Sequence, residues 1–227
     1  MTACPPAFSL TPMFIGHYAV GLAAKRVQPS VSLGVLLAAS QLVDLLWPIF
    51  VLAGFERVEI APGNTAFTPL AFPHYPWSHS LVMCVAWAGA FGALVFARKR
   101  SWRQACVVAA LVVSHWVLDF LSHGPDMPLW PGGPRFGLGL WQSVPATLLV
   151  EISMFAAGIA LYVRGTRARD RLGTWSLVGL LGLLSAAYVG NALGPLPPSS
   201  RAVAVSALAL WIVPPWGVWI DRHRVAA

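Results

Sequence analysis

The chain has 227 residues, of which 57% are hydrophobic and only 10% charged, and its net charge is +7. Soluble domains carry about 25% charged residues, and a mean hydropathy of +0.69 leaves more apolar surface than a soluble fold of this length can hide. A soluble enzyme is therefore not expected. Neither is a disulfide framework or a cysteine metal site, because Cys4, Cys84 and Cys106 show no paired spacing.

The expected fold is all-α: one integral membrane domain over residues 1–227, a multi-pass transmembrane helical bundle of six to seven spans. No cleavable signal peptide is expected, since no basic residue precedes Lys25. Apolar runs approaching the roughly 20 residues that a bilayer crossing needs fall near 7–24, 31–53, 79–97, 104–123, 143–163, 173–194 and 202–220. The first is short, interrupted by Pro12, and spans or re-enters. Pro48 lies inside the second and frees the carbonyl of Asp44; Pro214 and Pro215 are expected to kink or break the last. Pro145 sits in a first helical turn, where its missing N–H costs little.

Basic residues alternate between the connections. Lys25, Arg26, Arg98, Lys99, Arg100, Arg103, Arg164, Arg167, Arg169, Arg171, Arg222 and Arg224 fall on one side, against Arg57, Arg135 and Arg201 on the other. The positive-inside bias makes the richer side cytoplasmic. This implies a multi-pass protein of the cell (inner) membrane with its C-terminus in the cytoplasm. The positive charge is thus a topology signal, and no nucleic-acid partner is expected. Trp77, Trp102, Trp141 and Trp175 fall near span ends, as interfacial anchors do. Two long outer loops, 54–78 and 124–142, are rich in Pro and Gly.

An ionised group at the centre of a membrane helix costs roughly 2.5–3.5 kcal/mol on insertion scales and needs a partner. Asp44, Asp119, Glu151, His17 and His115 lie within the expected spans, and His79 and His123 at span ends. At about 1.5 Å of rise per residue, His17, Asp44, His115 and Glu151 all lie on the order of 12–14 Å below the outer surface. Four-residue steps turn a helix face by only about 40°, so His115, Asp119 and His123 form one stripe. Imidazoles and carboxylates suit Zn, with Mn or Fe as alternatives. In "HYPWSHS", residues 74–80, Ser78 is placed to cap the third span. His79 would then stand in its first turn and His74 in the loop. Arg135 in "PRFGLGLW" either contacts an anionic substrate or anchors at the interface. Glu151 serves either helix packing or the site, and His223 is expected to be solvated.

With "GHYAVG" around His17, "QLVDLLWP" around Asp44, "HYPWSHS" and "HWVLDFLSHG" in that order over residues 14–124, the chain resembles the inner-membrane metal-dependent hydrolases. It departs from their pattern in having a single Asp in the second element and Tyr75 where Arg is usual. The resemblance implies a metal-dependent hydrolase of undefined natural substrate.

The site expected from these readings holds one or two divalent ions on His17, Asp44, His79, His115, Asp119 and His123. His79 and Asp119 are the candidate catalytic groups, and Arg135 and His74 the candidate substrate contacts. A lipid-linked or amphiphilic phosphoester approaching from the extracytoplasmic side suits that depth, and paired metals suit phosphoester cleavage. The competing readings are a proton- or metal-ion-coupled transporter using the same cluster, and a haem protein with His17 and His115 as axial ligands.

Overall fold

The structure is a computed structural model that describes residues 15–227. It is an all-α bundle with three two-stranded ribbons in its connections. The elements are α1 (Ile15–Val27), α2 (Leu33–Ser40), α3 (Leu42–Leu52), β1 (Arg57–Ile60), β2 (Leu70–His74), α4 (Pro76–His79), α5 (Leu81–Lys99) and α6 (Trp102–Ser122). There follow β3 (Met127–Pro128), β4 (Arg135–Phe136), α7 (Val144–Gly165), β5 (Thr166–Ala168), α8 (Arg171–Leu193), α9 (Ser200–Ala207), α10 (Val213–Arg222) and β6 (Arg224–Ala226).

Among the described residues, five helical segments are long and apolar enough to cross a membrane: Leu81–Lys99, Trp102–Ser122, Val144–Gly165, Arg171–Leu193 and Ser200–Arg222. A sixth is reached only if α2 and α3 count as one span bent by 57°. The first expected span, 7–24, falls partly outside the described residues. Within the described residues, α1 covers the rest of it and runs on to Val27. Leu149, Leu193, Trp102 and Trp175 lie exposed on the spans, a surface suited to lipid rather than water.

The central element is α1. Ile15, His17, Tyr18, Ala19 and Leu22 are all buried, so the helix is enclosed on every side, packed by α2, α6, α7 and α8. Small residues allow that closeness. A Cβ on Gly158 of α7 would stand 2.5 Å from the Ala19 carbonyl oxygen. The crossing of α2 with α10 is equally tight, since a Cβ on Gly34 would stand 2.2 Å from the Pro214 carbonyl oxygen.

The second span bends at Gln41, where φ −117° and ψ 7° leave the helical region, and not at Pro48, which lies inside α3. The break takes the Ser40 carbonyl out of the helical ladder and puts Asp44 in the first turn of α3, an end that favours an acid. The last span is irregular where expected. A 3-10 stretch, Leu208–Ile212, precedes α10, and Pro214 and Pro215 follow in its first turn, the one place where the ring meets no upstream carbonyl. The loop 54–78 carries the β1–β2 hairpin, and 124–142 carries β3–β4.

At the other end of α1, Lys25 donates to Asp221 at 2.8 Å and to the Val31 carbonyl at 2.9 Å. The paired strands β5 and β6 close that end, where the Arg224 guanidinium bonds Thr166 and the Gly173 carbonyl.

Candidate metal centre

Four elements deliver five side chains to one point. His17 comes from the buried helix α1, Asp44 from the first turn of α3, His79 from α4, and His115 with Asp119 from consecutive turns of α6. The four-residue step on α6 keeps His115 and Asp119 on one face, both buried. The one-turn helix α4 starts at Pro76, whose fixed φ suits a first helical position, and ends where Ser80 turns extended. Ser80 then caps α5, its hydroxyl accepting from Met83 N. The cap is thus Ser80 and not Ser78, and His79 closes α4 rather than opening α5.

His17 Nε2 lies 3.3 Å from Asp119 Oδ1, and His115 Nε2 3.2 Å from Asp119 Oδ2. His79 Nε2 lies 3.3 Å from Asp44 Oδ1 and 3.6 Å from Asp119 Oδ2, while His115 Nε2 stands 3.7 Å from Asp44 Oδ2. Charge-assisted hydrogen bonds run at about 2.7–2.9 Å. Two ligands on one tetrahedral ion, each about 2.0–2.1 Å from it, sit roughly 3.4 Å apart. The observed separations, 3.2 to 3.7 Å, are of that size. Two three-residue groups, His17–His115–Asp119 and Asp44–His79–His115, have ligand atoms within 4.8 Å of one another; these groups could hold a metal ion. His115 has one free lone pair and serves one ion, whereas the carboxylates can bridge two.

Supporting hydrogen bonds set the imidazole tautomers. His115 Nδ1–H donates to the Ser40 carbonyl at 2.8 Å, the acceptor released by the break at Gln41. Ser78 Oγ–H donates to Glu56 Oε2 at 2.7 Å and therefore accepts from His79 Nδ1–H at 2.6 Å. Glu56 Oε1 in turn accepts the backbone N–H groups of Trp77 and Ser78 at 2.8 and 2.7 Å. Burial pushes the Glu56 carboxyl up, against the opposing pull of His79 and of the bonds from Ser78 and Trp77.

In their neutral forms both His79 and His115 thus present a bare Nε2 lone pair to the carboxylates. His115 Nε2 is buried and makes no hydrogen bond. Lone pairs facing carboxylate oxygens repel, and a cation between them removes the conflict. His79 and His115 with Asp44 and Asp119 fit a divalent ion on that ground; His17 Nε2 lies 3.3 Å from the His115 carbonyl oxygen as well as from Asp119. The cavity that His17, Asp44, His79 and Asp119 line with Trp47, Phe72, Tyr75, His123 and Trp141 has about 30 Å³ of free space, where one water needs roughly 10–15 Å³.

The remaining expected residues are placed differently. His123 lines the cavity but belongs to neither three-residue group. It terminates α6, its Nδ1 lying 3.1 Å from Asp126 Oδ1 and 3.4 Å from the Tyr75 hydroxyl. His74 is exposed at the end of β2. Arg135 is exposed on β4 and donates to the Pro73 carbonyl at 2.6 Å, so neither lines the cavity. Glu151 is fully buried in α7 beside Tyr188, Trp141 and the backbone of Ile15, outside both groups. Trp141 is 5% exposed, not an interfacial anchor; its ring lies 4.2 Å from that of His123. His223 contacts Asp170 at 2.8 Å.

Glu56, Tyr75, Asp126 and the relay role of Ser78 have no signature in the sequence. Burial, then Asp126 and Asp119, push the Tyr75 phenol well above its ordinary range, so it stays a neutral donor. Replacing Ser78 by alanine cuts the link from His79 to Glu56 and should lower metal affinity by about 10–100-fold. Competition with a chromogenic chelator measures this; unchanged affinity would show that the relay does not orient His79.

No protein family, no curated protein and no solved structure matches this chain.

Proposed function

We propose that the chain is a membrane-embedded metal-dependent hydrolase, akin to the inner-membrane hydrolases it resembles, acting on a lipid-linked or amphiphilic phosphoester from the extracytoplasmic side. One observation carries this reading: three imidazole nitrogens and two carboxylates meet at ligand–ligand spacing, and among the described residues no Lys or Arg lines their cavity. Zn is the ion best matched to that donor set, with Mn or Fe as alternatives. A divalent ion held by these residues would supply Lewis-acid polarisation of a phosphoryl oxygen and a more acidic water.

The chain's own residues hold and orient. His17, His79, His115 and Asp119 are buried and fixed by neighbours, which keeps their donor atoms in place without rearrangement. Asp44, whose side chain is 22% exposed against 6% for Asp119, is the carboxylate open to incoming substrate and the one suited to take a proton from water. The aromatic side chains of Phe72, Tyr75 and Trp141 wall the cavity from bulk solvent. The excess of Lys and Arg on the loops opposite the cluster supports an orientation in the cell membrane with the cluster outward and the C-terminus cytoplasmic.

A transporter would need ionisable groups continuing toward the opposite face. Below His115, α6 instead presents Val108, Leu111 and Val112, buried in an apolar cluster with Leu36 and Ala39.

Detergent-purified protein, stripped by chelation and reloaded, should hold one or two equivalents of Zn by elemental analysis and release phosphate or headgroup from lipid phosphoesters. Loaded protein that cleaves no lipid phosphoester, or protein that takes up no metal, would reject the proposal.

A further inference from the structure

Free space in the metal cavity is about 30 Å³, too little for more than an ion and the atoms that react at it. The rest of a substrate must lie elsewhere. A second pocket of about 250 Å³ adjoins it, sharing Phe72 and Trp141 as walls and otherwise lined by Asn64, Thr65, Leu70, Asp126, Gln142 and the Gly124–Pro125 turn. It opens among the outer loops.

Its polar chemistry is one-sided. Its donors are partly engaged: one N–H of Asn64 Nδ2 goes to the Leu70 carbonyl at 2.7 Å, one of Gln142 Nε2 to the Asn64 carbonyl at 3.3 Å, and the Thr65 hydroxyl to the Thr68 carbonyl at 2.9 Å. Asp126 Oδ1 faces Tyr75 and His123. Among the described residues, Asp126 Oδ2, Asn64 Oδ1 and Gln142 Oε1 are left without a donor, and no Lys or Arg lines the pocket. Free acceptors, one carboxylate and two aromatic side chains make a setting for an organic cation. A further anionic group would meet the Asp126 carboxylate with no Lys or Arg in the lining to balance it.

We propose that this outer pocket takes the ammonium of an amino-alcohol phosphoester headgroup from a zwitterionic phospholipid, with the phosphate reaching past Trp141 and Phe72 to the metal centre. This assignment of substrate class rests on the hydrolase reading above. The ammonium donates to Asp126, Asn64 and Gln142 and lies against Trp141.

The test is a binding measurement, independent of turnover. Metal-loaded protein in detergent is titrated calorimetrically with short-chain phosphatidylethanolamine, short-chain phosphatidylglycerol and soluble O-phosphoethanolamine. The ethanolamine lipid should bind about tenfold more tightly than the glycerol lipid. Asp126→Asn should erase that preference with metal content unchanged, and Gln142→Leu, at an exposed position, should reduce it. Equal binding of the two lipids, or a preference that survives in both variants, would overturn the assignment. Lipid bound no more tightly than O-phosphoethanolamine would overturn the membrane source. If no lipid is hydrolysed, the hydrolase reading fails, while the ratio of the two lipid affinities still decides the headgroup.

Discussion

Replacing Asp119 by asparagine should lower metal affinity by well over the roughly 100-fold that loss of a supporting group costs, and stop hydrolysis with it. Asp119 is the residue whose two oxygens reach three imidazoles, with Oδ1 toward His17 and Oδ2 toward His79 and His115. Asparagine keeps the shape and one acceptor oxygen, but it removes the negative charge and turns an N–H₂ toward a lone pair. Both effects oppose a cation. The helix should survive, because the Asp119 backbone carbonyl still accepts from His123 N. An unchanged elution profile together with lost metal, measured on the same preparation, checks the prediction. Full metal content in Asp119→Asn would contradict a centre built on this carboxylate.

The second large effect should come from a methyl group far from any ligand. Gly158→Ala places a Cβ 2.5 Å from the Ala19 carbonyl oxygen, and that neighbour is backbone of an enclosed helix that cannot step aside. Overpacking of this kind costs about 1–3 kcal/mol, which for a chain of this length lowers the melting temperature by about 2–4 °C per kcal/mol. Because α1 carries His17, strain at this contact also disturbs the setting of His17 against Asp119, so metal affinity should fall in the same variant. Gly182 in α8 is the control. Nothing lies within 4 Å of its Cβ position, so Gly182→Ala should be neutral or gain up to about 1 kcal/mol from helix propensity. Equal melting temperatures for the two variants would show that the α1–α7 contact is looser than described.

The clustering of His17, Asp44, His79, His115 and Asp119 was legible because each is expensive where it stands. An imidazole or carboxylate in an apolar run demands a partner, and runs of similar depth can supply one another. Five of the seven expected spans, with the bent α2–α3 pair as a sixth, were legible for the related reason that a bilayer sets one length for apolar helices. What the sequence hid is of another kind. Ser78 and Ser80 are equally good caps on paper, and Pro76 decided between them by starting a separate turn. Gln41 carries no breaker signature, yet the bend falls there and frees the carbonyl that orients His115. Trp141 reads as an interfacial residue, and only the fold of its loop turns it inward against His123. Glu56 reads as one more loop acid until the β1–β2 hairpin sets it beneath Ser78.

The sequence by itself determined the solvent, the helical class and the side chains that must find company, since these follow from transfer energies and a fixed helical period. The tertiary structure alone decided which of the candidates share a cavity, which stand beside it and which donors hold the imidazoles. Those outcomes depend on loop paths and helix crossings, where contacts distant in the chain outweigh any local preference.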